Sequence, residues 1–227
     1  MRMAVIGVGH LGREHARILA ALDAVELVGV IDVDRERAEA VAAAAGTRPL
    51  TDTSDLHTCV DAVTVAVPTA AHLAVTLPLL ERGVGALVEK PLASSVVEAE
   101  QMVAAATRCG ALLAAGHSER YNPAVTAVRP LVSNPRFVEG HRLGTFPERS
   151  LDIDVVRDVM IHDLDLLLAL VSTDVTAIEA VGVPVLTDRV DIANVRLRFA
   201  SGCIANLTAS RISRERVRKV QIGRAHV

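Results

Sequence analysis

The chain is predicted to be an α/β protein: a doubly wound parallel sheet comes first, and an α+β domain built on a mainly antiparallel sheet follows. Three observations carry this. A short apolar run, Ala4-Val5-Ile6, feeds into Gly7-Val8-Gly9-His10-Leu11-Gly12, a G-x-G-x-x-G set where a buried strand would turn into a helix. From there to about Gly116, apolar strand-like runs alternate with helix-like stretches, the pattern of a parallel sheet covered by helices. Past Tyr121-Asn122-Pro123 the segments become longer and alternate in polarity, as antiparallel strands do.

In the first part, strands are predicted over 3–7, 27–32, 62–66, 85–89 and 111–115, with helices between them. Gly7 allows a tight turn, Gly9 leaves room for a pyrophosphate, and Gly12 lets the helix pack close to the strand, so the N–H groups of the helix start face the phosphates. A glycine turn without a ligand is the alternative. An acidic residue belongs at the end of the second strand, about 20 positions on. Asp32 supplies it, and a carboxylate there binds the adenosine ribose hydroxyls and repels a 2′-phosphate, which selects NAD over NADP. Asp34 caps the second helix, which stops at Gly46; Ser95 and Glu98 form a capping box for a helix that ends before Gly110. These signals agree on a Rossmann domain over 1–119. The second domain, 120–221, has strands predicted over 136–143, 177–186, 192–199, 203–209 and 216–221, with one strongly apolar helix over 154–171.

With 227 residues and 51% hydrophobic content the chain can bury a sizeable core. A net charge of -3, three Phe, one Tyr and no Trp argue against nucleic acid as a partner, since there is neither a basic face nor a stacking platform. A small molecule or another copy of the chain is the expected partner. Cys59, Cys109 and Cys203 are odd in number and far apart, and read as reduced core residues of a cytoplasmic protein. The apolar start ends at Val8, too short for a secretory signal, and the run over 60–80 is broken by Asp61, Pro68, His72 and Pro78, so no membrane span is expected.

Two polar groupings stand out. Glu89-Lys90-Pro91 follows the fourth strand at the carboxyl end of the sheet, where doubly wound folds bind ligands; a surface lysine at a loop start is the competing reading. Asp158, His162 and Asp165, at i, i+4 and i+7, share one face of the apolar helix. That pattern also fits a salt-bridged helix pair or a fragment of a metal site, although no second histidine or cysteine stands at ligand spacing.

Gly7 to Gly12, Glu89-Lys90-Pro91 and Asp158-x-x-x-His162-x-x-Asp165, in this order, resemble the Gfo/Idh/MocA family (glucose–fructose oxidoreductase, inositol dehydrogenase and relatives) over nearly the whole chain. The resemblance implies an NAD-dependent oxidoreductase that passes hydride between a sugar or polyol carbon and the nicotinamide. It also implies that Lys90, Asp158 and His162 line the site. His162 suits the general base, Lys90 the stabilisation of charge on the hydroxyl, and Asp158 the orientation of both. Gly7, Gly9, His10, Leu11, Gly12, Asp32, Pro68, His72, Glu89 and Lys90 are the expected cofactor contacts. For His72 a packed helix histidine is the alternative. Met160 stands where many members have glycine.

The stretches over 9–17, 116–124 and 181–188 look like the branch of UDP-N-acetylglucosamine 3-dehydrogenases, which serves lipid A sugar synthesis. Arg120, Asn122, His141 and Arg142, with Asp158 and His162, are then expected around the sugar or its diphosphate, since arginine grips phosphate bidentately. Another sugar or polyol is the alternative substrate. A non-enzymatic NAD-binding sensor would keep Gly7 to Gly12 and Asp32 but has no use for Lys90, Asp158 and His162 together. Full-length relatives are expected to pair as homo-oligomers. The last six residues, Ile222-Gly223-Arg224-Ala225-His226-Val227, resemble translated sequencing adapter, so the native sequence is expected to end at Gln221 with the second sheet incomplete.

Overall fold

In the computed structural model the described residues are 1–54, 56–146 and 153–223. The chain divides into two units, Met1–Gly116 and His117–Val227.

The first unit runs β1 (Arg2–Ile6), α1 (Gly12–Ala20), β2 (Glu26–Ile31), α2 (Arg35–Ala44), α3 (Leu56–Cys59), β3 (Ala62–Val65), α4 (His72–Leu80), β4 (Gly85–Val88), α5 (Val96–Cys109) and β5 (Leu113–Ala115). The five strands lie in the order β2-β1-β3-β4-β5, and every neighbouring pair is parallel. The near-continuous apolar runs of these strands follow from burial on both faces. On one face Ala4, Ile6, Val63 and Val88 pack with Leu79 and Leu80 of α4 and Met102 and Ala105 of α5. On the other, Met3, Val5 and Val30 pack with Ala16 and Leu19 of α1 and Ala42 of α2. The strand order reverses beside β1, which puts a ligand crevice at the carboxyl ends of β1 and β3. The expected caps are present: the Asp34 carboxylate accepts from Arg37 N at 3.1 Å, and Ser95 Oγ from Glu98 N at 3.2 Å. Glu98 reaches back to Ser94 N rather than to the capping residue itself.

The second unit holds α6 (Pro123–Val128), β6 (Phe137–Leu143), a π-helical turn (Val156–Met160) running into α7 (Ile161–Leu170), β7 (Val175–Val183), β8 (Ile192–Phe199), β9 (Ile204–Ser210) and β10 (Val217–Gly223). Its sheet has the order β10-β6-β9-β8-β7. β6 and β9 are parallel, and the other three pairs are antiparallel. Burial alternates along β6, β8 and β9 because one face packs on α7 and the other does not. Val138, Leu197, Phe199, Ala205 and Leu207 meet Val155, Met160, Leu167 and Val171 in this core.

Three details differ from expectation. The apolar helix opens as a π-turn rather than a regular α-turn. β7 ends at Val183, short of the expected 186, because Pro184 has no N–H and the next three amides, of Val185, Leu186 and Thr187, all donate to the Asp191 carboxylate. β10 continues past Gln221, with Ile222 opposite Val138 and Gly223 opposite Phe137; the rest of the expected tail, 224–227, lies outside the described residues. Cys59, Cys109 and Cys203 are free thiols. Among the described residues no helix is long and apolar enough to cross a membrane.

Candidate cofactor and active site

The glycine loop leaves β1 through Gly7, whose N–H donates to Ile31 O at 2.8 Å and whose φ of +82° suits a residue without a side chain. A Cβ on Gly7 would lie 2.8 Å from the Ala66 carbonyl, and one on Gly12 would collide with the Gly7 carbonyl oxygen. α1 therefore starts hard against β1 and β3. At Gly9 a Cβ would meet nothing within 4 Å, so the loop backbone there faces open space. His10 and Leu11 are exposed beside it, and His10 Nδ1 lies 3.3 Å from Arg13 Nη2. Open backbone at a helix start is the surface that a pyrophosphate fits. Asp32, at the end of β2, accepts from Val8 N at 2.8 Å and from Asp34 N at 2.9 Å, with Arg37 Nη1 at 3.4 Å. Its carboxylate braces the loop and keeps lone pairs for a ribose diol. The residues present fit a dinucleotide.

At the end of β4, the Glu89 carboxylate accepts from Lys90 N at 3.1 Å and lies 3.0 Å from His15 Nε2 on α1. Burial pushes the Glu89 carboxyl up, but the His15 ring and the Lys90 amide outweigh it and hold it below its ordinary value. Lys90 is half-buried, and its peptide to Pro91 is cis. Pro68 is exposed after β3. His72 takes the packed alternative. The ring is 1% exposed, with Nδ1 3.0 Å from Pro91 O and 3.2 Å from Leu92 O, and Nε2 3.0 Å from Val67 O. It ties the loop after β3 to the loop after β4, and neither nitrogen is left facing a ribose.

In the second unit, Asp158 lies in the π-turn and His162 in the first turn of α7, both half-buried. π-turns recur at functional sites because one wide turn re-aims the side chains around it. Asp165, on the same helix, is a paired group. It is 9% exposed and holds Arg120 in a two-pronged pair, Nε at 2.7 Å and Nη2 at 2.6 Å. The Asp165 carboxylate raises the Arg120 guanidinium above its ordinary value.

Arg142, expected with Arg120 near the sugar or its diphosphate, is paired with carboxylates too. Arg142, 8% exposed, places Nε 3.0 Å and Nη2 2.7 Å from Asp163 Oδ1, with Glu119 at 3.6 Å. Burial lowers its proton affinity, and the two carboxylates more than restore it. Asn122 caps α6, its Oδ1 accepting from Ala124 N at 3.0 Å. His141 bonds Glu139 at 2.9 Å on the sheet face away from α7, in a cavity of about 550 Å³ with Asn194, Arg196 and Thr208. It does not share a face with His162. The sequence reading missed the partners His15, Glu119 and Asp163, which no local pattern marks. Among the described residues no group of three or more His, Cys, Asp or Glu is arranged to hold a metal.

Comparison with known proteins shows the family. Residues 1–117 match the model of an oxidoreductase family with an NAD-binding Rossmann fold, and residues 128–223 match the Gfo/Idh/MocA C-terminal domain. The chain belongs to the Gfo/Idh/MocA oxidoreductase family. It is 43% identical over 98% of its length to UDP-N-acetylglucosamine 3-dehydrogenase of Acidithiobacillus ferrooxidans and covers 71% of that protein. The solved structure of that enzyme superposes with a TM-score of 0.93, covering 98% of this chain and 73% of the other. Inositol 2-dehydrogenase of Cereibacter sphaeroides is 34% identical over 74% of this chain and 53% of its own. GenD2 from gentamicin A biosynthesis, solved in complex with NAD, is 26% identical with a TM-score of 0.88, covering 98% of this chain and 68% of that one. The chain is thus an NAD-binding oxidoreductase by family.

Proposed function

We propose that the protein is an NAD-dependent dehydrogenase that oxidises the 3-hydroxyl of UDP-N-acetylglucosamine to a ketone. One observation carries the substrate: the 43% identity to an enzyme of that name, sustained over 98% of the chain, against 34% over 74% for an inositol dehydrogenase. NAD, when bound, supplies the hydride acceptor. The chain's residues do the rest. Asp32 accepts the adenosine ribose hydroxyls, and the first N–H groups of α1 face the pyrophosphate. A ring nitrogen of His162 takes the proton of the reacting hydroxyl, a task suited to an imidazole. The Lys90 ammonium suits the stabilisation of the negative charge that develops on the hydroxyl oxygen, and Asp158 the orientation of His162.

The test is to mix the protein with NAD and either UDP-N-acetylglucosamine or myo-inositol and follow NADH absorbance. Turnover of the nucleotide sugar alone is expected, with His162→Ala slower by about 10²–10⁴-fold. Preferential turnover of inositol would replace the substrate. NADH binding with no turnover of either compound would remove the activity.

A further inference from the structure

The Glu89 carboxylate is shared between α1 and the Lys90 loop, two of the elements that the proposed function places against the cofactor. One oxygen lies 3.0 Å from His15 Nε2, a turn into α1, and the other accepts the Lys90 amide at 3.1 Å. Both side chains of the first contact are well buried, at 18% and 14% exposure. The chain leaving β5 closes a third side, since a Cβ on Gly116 would lie 3.1 Å from Glu89 Cδ. His15 Nδ1 is buried and makes no hydrogen bond among the described residues, so the tautomer carrying its proton on Nε2, toward Glu89, is the one that fits. A buried acid and imidazole cost free energy that an apolar pair at the same place would not, so plain packing is a poor account of them.

We infer that His15 is a positioning residue for Lys90: by fixing Glu89 against the Lys90 amide it makes the dinucleotide helix α1 and the lysine loop one rigid piece. Cofactor seated on the start of α1 then meets a lysine already placed. This rests on the reading of Lys90 as the group that meets the reacting hydroxyl. Misplacing such a group by about 1 Å costs about 10²-fold in rate while leaving binding elsewhere intact.

The chain has only two lysines, Lys90 and Lys219, and Lys219 is exposed, so it serves as an internal reference. Acetylation of Lys90 relative to Lys219 by acetic anhydride, read by mass spectrometry with NADH bound, reports whether the lysine is held. His15→Ala is expected to raise that ratio about tenfold and lower kcat with UDP-N-acetylglucosamine about 10²-fold, while the NADH Kd moves less than about threefold. His15→Gln, which keeps a donor at matching reach, is expected to restore ratio and kcat to within about threefold of the parent. An unchanged labelling ratio in His15→Ala, a glutamine variant as impaired as the alanine one, or a loss of NADH affinity that accounts for the whole effect would each overturn the inference. Should the parent bind NADH yet leave UDP-N-acetylglucosamine untouched, the proposed substrate falls, and the labelling ratio with its glutamine rescue still decides the role of His15.

Discussion

At the scale of single residues, Asp32 has two tasks. It holds the glycine loop through Val8 N at 2.8 Å, and in the proposed function it also accepts from the ribose 2′-hydroxyl. Arg37 stands beside it, 3.4 Å from Asp32 and 2.9 Å from Asp34. In Asp32→Ser the repulsion of a 2′-phosphate disappears while Arg37 remains. NADH affinity is expected to fall about tenfold and NADPH to gain relative to it, about 1.4 kcal/mol per tenfold, read by nicotinamide fluorescence titration. An unchanged NADH to NADPH ratio would take cofactor choice away from Asp32. Asp32 was legible because the glycine motif sets its distance along the chain. The fates of Arg120 and Arg142 were not, since their partners Asp165 and Asp163 lie 45 and 21 residues away.

Among the elements, the loop after β7 shows one carboxylate replacing a stretch of sheet. Asp191 is fully buried and accepts three amides, Thr187 Oγ1 at 2.9 Å and Arg211 Nε at 2.7 Å, and Arg211 is itself 2% exposed. Burial opposes its charge, but the amide of Val185, the Arg211 guanidinium and the other donors hold its carboxyl far below the ordinary range. A folded-state pKa below the unfolded one means that the unfolded chain binds the proton first. The stabilisation is therefore complete above the unfolded value of about 4 and fades as pH falls below it. Asp191→Asn leaves Arg211 buried without its counter-charge. It is expected to cost about 3 kcal/mol near neutrality and to flatten the acid limb, measured by urea unfolding between about pH 7 and pH 3. A parallel loss at every pH would reject the charge as the cause. The strand was legible from its alternation and its true end was not, because a prolyl nitrogen and a distant carboxylate decide it together. Likewise the apolar run over 154–171 announced a helix, whereas nothing in its local pattern marked the π-turn at its start, where Val155 and Met160 are buried in the core.

For the whole molecule, each unit carries its own core, and every residue assigned to the cofactor lies in Met1–Gly116. A fragment of that unit is expected to fold alone and bind NADH within about tenfold of the full chain, by fluorescence titration. A fragment that melts cooperatively but fails to bind would assign part of the cofactor site elsewhere. The sequence by itself determined the two kinds of sheet, the glycine turn, Asp32, the caps and the order of the elements. Those features follow from steric limits at single residues and from periodicities of two and 3.6 that a short window displays. It also carried the Glu-Lys-Pro and Asp-x-x-x-His motifs, by resemblance. Only the tertiary structure decided which distant polar groups meet in pairs. His15 meets Glu89 across 74 residues, Arg120 meets Asp165 across 45, and His72 turns both nitrogens to backbone carbonyls. Such pairings depend on which strands and helices come to lie side by side, and no local pattern of residue types encodes that adjacency.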